Sequence, residues 1–155
     1  MIILTIDGHP IPWKRASPNW KNRCMFDTQK KEKEQVRWQL RDQYKEPLLT
    51  MPLEVIIECY FPIPESTSKV KRSQMLASMI HHTNDPDGDN LDGFYWDCMQ
   101  DVIFVNDNQI FDHRTTKLWG LKGKTVIKVI PHSSCTYKGD ERFEGQPLFE
   151  DGEEI

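Results

Sequence analysis

The acidic segment at residues 85–89 limits what this chain can fold into more than any other feature. Asp85, Asp87 and Asp89 alternate there with Pro86 and Gly88. Proline and glycine disfavour both a regular helix and a central strand. Carboxylates this close together repel one another unless a cation lies among them, and oxygen ligands on a loop suit a hard divalent ion such as Mg²⁺ or Ca²⁺. The segment therefore predicts a metal-binding loop.

The spacing excludes the calcium loop of EF-hand proteins, which needs glycine at its sixth position and glutamate at its twelfth. Counted from Asp85, those positions hold Asn90 and Trp96. Apolar residues instead recur at three- and four-residue intervals between residues 91 and 102, which predicts a helix that Asp89 or Asn90 caps. A helix following the acidic loop would present further polar side chains beside it.

The length and the hydrophobic patterning predict one α+β domain, in which a mixed β-sheet packs against helices. We expect this domain at residues 1–132 and an acidic tail at residues 133–155. The patterns predict strands at residues 2–7, 53–61, 109–119 and 124–131, and helices at residues 28–45 and 73–80. Residues 120–123 predict a hairpin between the last two strands.

The acidic net charge of −4 does not exclude a nucleic-acid partner, because the acidic excess is concentrated in the tail. Residues 139–155 carry one basic and seven acidic residues, whereas residues 1–47 carry ten basic and six acidic ones. Basic side chains beside tryptophans suit DNA phosphates and bases, although a solvated loop is the alternative. The candidate DNA-binding residues are Lys14, Arg15, Lys69, Lys71 and Arg72.

The sequence gives no support for membrane insertion, secretion or a cysteine zinc site. No apolar run approaches the roughly 20 residues of a membrane helix, and the first residues lack the pattern of a signal peptide. We therefore expect a cytoplasmic protein with no membrane partner and no small-molecule cofactor. The four cysteines are scattered, without the close pairs of a zinc site.

These motifs resemble the signature of the RusA-type Holliday-junction resolvases. That signature is D-x-D-N-L, a further aspartate on the following helix, and then D-x-Q-(I/V). The chain has D-G-D-N-L at residues 87–91, Asp97 on the predicted helix, and D-N-Q-I at residues 107–110. The resemblance extends from the G-x-P opening at residues 8–10 to about Pro131.

The resemblance implies a RusA-like fold and an endonuclease that resolves Holliday junctions and other branched DNA by paired nicks. It implies a metal site of Mg²⁺, with Mn²⁺ as a substitute, held by three catalytic aspartates: Asp87, Asp89 and Asp107. It also implies a homodimer, and a gene of phage or prophage origin whose product works in the cytosol of a bacterial host. We further expect Lys117 to be catalytic, and Asn90 and Asp85 to orient the metal ligands. Asp97 would either orient these ligands as well or cap a helix.

One position departs from the family pattern. The family commonly has a lysine three residues after the asparagine of D-N-L, where this chain has Gly93. Lys117 is our candidate for the missing cation. Two other functions stay open: a branched-DNA-binding protein that does not cut, and an interaction module whose acidic loop is stabilised by metal.

Overall fold

Helices and strands alternate along the chain much as the patterning predicts. A computed structural model describes residues 1–19, 21 and 24–132, with backbone alone at residues 17–19 and 24–26; the predicted tail lies outside the described residues. The elements are β1 (Ile2–Asp7), β2 (Ser17–Asn19), β3 (Cys24–Phe26), α1 (Lys30–Gln43), β4 (Leu53–Pro62), α2 (Lys69–Leu76), α3 (Gly88–Met99), a 3₁₀ turn (Asp107–Gln109), β5 (Ile110–Gly120) and β6 (Lys124–Pro131). Within these described ranges, no helix has the length and apolar character needed to cross a membrane.

The main sheet has the strand order β1-β6-β4-β5, with β4 parallel to β5 and antiparallel to β6. This confirms the α+β class and the mixed sheet. The predicted hairpin between β5 and β6 is wrong, because β4 lies between these two strands. Adjacent strands lie about 4.8 Å apart, so the short connection at residues 121–123 easily spans one intervening strand. At this crossing the Ile63 amide donates a hydrogen bond to the Gly120 carbonyl at 3.0 Å.

The core lies between one face of the sheet and the two longer helices. Every second residue of β4 is buried, as the alternating pattern predicts. Both α1 and α3 pack on this side through their apolar faces. The core side chains include Leu53, Val55, Ile57, Cys59 and Phe61 of β4, Val36 and Leu40 of α1, and Leu91, Phe94, Tyr95, Cys98 and Met99 of α3.

Two helices begin earlier than the sequence predicts. Ser68 caps α2, since its side-chain oxygen accepts a hydrogen bond from the Lys71 amide at 3.3 Å, and the helix starts at Lys69 rather than at Ser73. The N-cap of α3 is Asp87, which moves Asp89 into the first helical turn. The basic residues before the acidic loop therefore lie on a helix, and the acidic loop leads directly into α3.

The sequence predicts that the adjacent His81 and His82 are polar loop residues or DNA contacts, and for His82 this is wrong, because its side chain is buried. Its ring lies against Phe61 at 4.2 Å and against Trp119 at 4.3 Å between ring centroids. The Nδ1 atom has no hydrogen-bond partner among the described residues. Burial, together with the nearby charge of Lys117, lowers the pKa of His82 below its usual 6.5.

This burial predicts a loss of stability in mild acid. The folded state binds the His82 proton more weakly than the unfolded chain does, so stability is complete above pH 6.5 and falls as the pH drops below it. The substitution His82→Phe keeps an aromatic ring and removes the proton, so the difference in unfolding free energy between pH 7.5 and pH 5.5 should shrink. Urea denaturation at both pH values measures it. The exposed neighbour provides the control: His81→Phe should keep the wild-type difference, and an equal change in both variants would contradict the assignment.

Candidate active site

Three carboxylates surround the start of α3. Asp85, Asp87 and Asp89 are all exposed, and they lie just before, at and just after the N-cap. The unpaired amides at a helix N-terminus favour negative charge, which partly offsets the repulsion among the three carboxylates. The apolar face of α3 is buried, so the helix holds Asp89 on a rigid support while its carboxylate stays open to solvent. The acidic loop is thus an accessible group of hard oxygen donors.

Lys117 holds the acidic loop against the sheet. From β5, its Nζ donates hydrogen bonds to the carbonyl oxygens of Asn84 at 2.8 Å and Pro86 at 3.0 Å. On the other side of the helix, the Trp13 amide donates to the carbonyl of Asn90 at 2.7 Å. Two segments distant in the sequence therefore fix the loop, and the predicted catalytic lysine lies beside Asp85 and Asp87 but not beside Asp107.

Asp92 is a site residue that sequence analysis missed. It is buried, at 7% exposure, and its Oδ1 accepts a hydrogen bond from the Thr115 hydroxyl on β5. Its Oδ2 lies 3.7 Å from Nε2 of His113. Burial raises the pKa of Asp92, Thr115 and His113 oppose the rise, and the nearby charge of Asp89 adds to it. The available signal was an aspartate among the apolar positions of an amphipathic helix.

Asp107 lies in a separate turn that Gln109 organises. The Gln109 side-chain oxygen accepts from the amides of Val105 at 3.1 Å and Asn106 at 2.9 Å. Its Nε2 donates to the carbonyls of Leu49 at 2.9 Å and Met51 at 3.0 Å. The glutamine of the D-x-Q motif thus ties the turn to the segment before β4 and leaves Asp107 exposed on a fixed backbone.

The structure does not bring Asp107 to the acidic loop within one chain. Asp89 is in the first turn of α3 and Asp107 follows its last turn, and the 12 residues of α3 rise about 18 Å. Across the part of the chain that the structure describes, no three histidine, cysteine, aspartate or glutamate side chains are grouped to hold a metal ion. Asp87 and Asp89 have the carboxylate chemistry that Mg²⁺ prefers, but a third predicted ligand is remote.

Asp97 and Asn90 occupy different positions along α3. Asn90 is beside the acidic loop, whereas Asp97 lies two turns further on. There Lys33 of α1 bridges Asp97 and Asp27 with 3.1 Å contacts to each. This pairing joins α1 to α3.

The candidate DNA-binding residues flank the acidic loop. Lys14 and Arg15 are exposed and follow Trp13, whose side chain lies against Gly93 of α3. The backbone of this segment is fixed by Gln29, which accepts from the Lys14 amide at 2.7 Å. The second group is on α2, which packs against β5, the strand that carries Lys117. The α2 residues are Lys69, Lys71 and Arg72.

Because Gln109 satisfies four backbone groups, the substitution Gln109→Ala should lower the unfolding free energy by about 1–3 kcal/mol. Urea denaturation of the full chain measures the change. The matched control is Asn108→Ala, whose exposed side chain makes no such bridge and which should change stability by less than about 0.5 kcal/mol. Equal stabilities for the two variants would show that the glutamine does not organise the turn.

Two comparisons with known proteins bear on the family of this chain. The chain is similar to the uncharacterized protein YqaN of Bacillus subtilis (strain 168), with 24% identity over 134 residues that cover 83% of this chain and 94% of YqaN. The family model for endodeoxyribonuclease RusA matches residues 7–130, which include the acidic loop, α3, the D-x-Q turn and Lys117. This chain therefore belongs to the RusA endodeoxyribonuclease family.

Proposed function

We propose that this protein is a Mg²⁺-dependent endonuclease that resolves four-way DNA junctions by paired nicks. The observation that carries the proposal is the position of the family signature. Its first two aspartates are exposed at the N-terminus of α3, between two basic segments, on a support that the core holds rigid. Exposed carboxylates between cationic surfaces suit the hydrolysis of a phosphodiester, whose backbone is anionic.

Each group of residues has a distinct task in this reaction. Asp87, Asp89 and Asp107 would hold the metal, for which Mn²⁺ is the expected substitute. When bound, Mg²⁺ supplies an acidic bound water and neutralises charge on the phosphate. Lys117 fixes the loop that carries Asp87 through its two carbonyl contacts, and so keeps a positive charge next to the DNA.

The distance between Asp89 and Asp107 supports a homodimer in which each site takes residues from both copies. One chain offers two half-sites at the two ends of α3, and neither holds all three predicted metal ligands. In a two-fold dimer, the acidic loop of one protomer can meet the D-x-Q turn of the other, and the same contact forms twice. Two equivalent sites would suit the two symmetric cuts that a junction requires. We place this activity in the cytosol of a bacterial host, in DNA recombination and repair, with a phage or prophage gene as its source.

Cleavage of a labelled synthetic junction tests the proposed activity. The wild type should introduce paired nicks in the junction but not in a matching linear duplex, and EDTA should abolish them. Asp89→Asn should reduce the rate by at least about a hundredfold, because it removes a metal ligand and a charge. Asp42→Asn, on the exposed part of α1, is the matched control and should cut at the wild-type rate.

Two other outcomes of this assay would replace the proposal. Binding to the junction without cuts, with or without Mg²⁺, would identify a non-cleaving DNA-binding protein, and Gly93 in place of the family lysine is the observation that favours it. Failure to bind DNA at low salt would favour the metal-stabilised interaction module.

Mixing two inactive variants tests whether the sites are shared. Asp89→Asn and Asp107→Asn should each be inactive alone. In a mixed dimer, one site receives both substitutions and the other receives none, so the mixture should recover single-strand nicking at up to about half of the wild-type rate per mixed dimer. The measurement is nicking of the labelled junction after joint refolding. An inactive mixture that contains mixed dimers, as two affinity tags would show, would mean that each site forms within one chain.

A further inference from the structure

The ring of His113 is held in place beside the candidate active site. Nε2 of His113 lies 3.7 Å from Oδ2 of Asp92, and the Trp96 ring meets the imidazole edge-on at 5.0 Å between centroids. The other carboxylate oxygen of Asp92 is occupied by Thr115. Asp92 is buried, whereas the His113 side chain is 49% exposed. A buried acid thus lies against an imidazole that is about half exposed.

His113 lies on the same face of β5 as Lys117. His113, Thr115 and Lys117 are two residues apart on β5, so their side chains point to the same face. The first two contact Asp92 of α3, and the third contacts the carbonyls of the acidic loop. One face of an edge strand therefore lines the N-terminal half of α3.

The two sides of α3 next to Asp89 contact different parts of the chain. Residues three and four positions ahead on a helix flank a given side chain on its two sides, and here they are Asp92 and Gly93. The Trp13 side chain covers the flank at Gly93; a Cβ atom there would meet it at an ordinary 3.7 Å. The flank at Asp92 carries His113. His113 is thus on the flank of Asp89 opposite the position at which the family has its lysine.

We propose that His113 is a catalytic residue of this enzyme, held by Asp92 as a positioning residue, and that it protonates the leaving oxygen when DNA is cut. This inference rests on the proposed nuclease function. Because Asp92 faces Nε2, the atom available to the substrate is Nδ1. The pair resembles other histidines whose ring orientation is fixed by a buried carboxylate.

Water is the only reactant that this step needs besides the DNA and His113. The oxygen of a water molecule bonds to phosphorus and its proton passes to solvent. The bond between phosphorus and O3′ breaks, its electron pair stays on O3′, and Nδ1–H of the His113 imidazolium gives its proton to that oxygen. The neutral imidazole then takes a proton from solvent. One water is consumed for each nick, and the products are a 5′-phosphate and a 3′-hydroxyl.

The test compares two junctions that differ only in the leaving atom at the position where the enzyme cuts, which is oxygen in one and sulfur in the other. The cleavage position is first mapped with the wild type. When the bridging 3′ oxygen is replaced by sulfur, the leaving group is a thiolate, which needs no proton. Cleavage of this junction therefore distinguishes the loss of a general acid from a general loss of structure. His113→Gln should lower single-turnover cleavage of the ordinary junction by about a hundredfold, as for loss of a general acid. The sulfur junction should be cut at close to the wild-type rate. Asp92→Asn should show a smaller selective loss of the same kind.

The control is His132→Gln, because His132 also pairs with an acidic residue, Glu54 near the start of β4, at 3.3 Å; this variant should cut both substrates normally. An unchanged rate in His113→Gln, or equal losses on the oxygen and sulfur junctions, would overturn the assignment while leaving the nuclease intact. If the wild type does not cut the ordinary junction, the proposed function fails first, and the role of His113 fails with it.

Discussion

The burial of α3 against the sheet is the interaction on which the candidate site depends. Five apolar side chains of this helix are in the core, and Tyr95 adds a buried hydrogen bond to Thr125 on β6 at 2.8 Å. The Tyr95 hydroxyl also accepts from the Ile11 amide at 3.2 Å, which draws the N-terminal segment over the helix. Because α3 is fixed on two sides, the acidic loop before it and the turn after it are fixed as well.

The electrostatics of the site follow from which carboxylates are buried. Asp87 and Asp89 remain exposed near the positive end of the helix dipole, so water and the helix amides stabilise their charge. Asp92 is buried, and its charge is stabilised instead by Thr115 and His113, although burial still raises its pKa. The site therefore has open carboxylates suited to a cation and one enclosed carboxylate that lies against a histidine. Neighbouring residues of one helix differ in chemistry because they face water or protein.

Much of the fold could be predicted from the sequence because its signals are local. The alternation in β4, the apolar spacing in α3 and the D-x-Q turn all depend on residues close together in the chain. The order of the strands could not be predicted, since a short connection between β5 and β6 favours a hairpin and nothing local shows that β4 lies between them. His82 and Asp92 were misread or missed for a related reason. Their burial results from the packing of β4, β5 and α3, and no short stretch of sequence contains information about that packing.

The same limit applies to the predicted catalytic aspartates. Their motifs identify the residues, but the distance between Asp89 and Asp107 is set by the length of α3, and a sequence motif contains no such length. A helix cannot bend its two ends together without breaking its hydrogen bonds. If both motifs serve one metal, they must therefore meet between molecules rather than within one. In the proposed dimer, a single chain is inert and the complete sites form only in pairs, so that the machinery for one cut is assembled together with the machinery for the second.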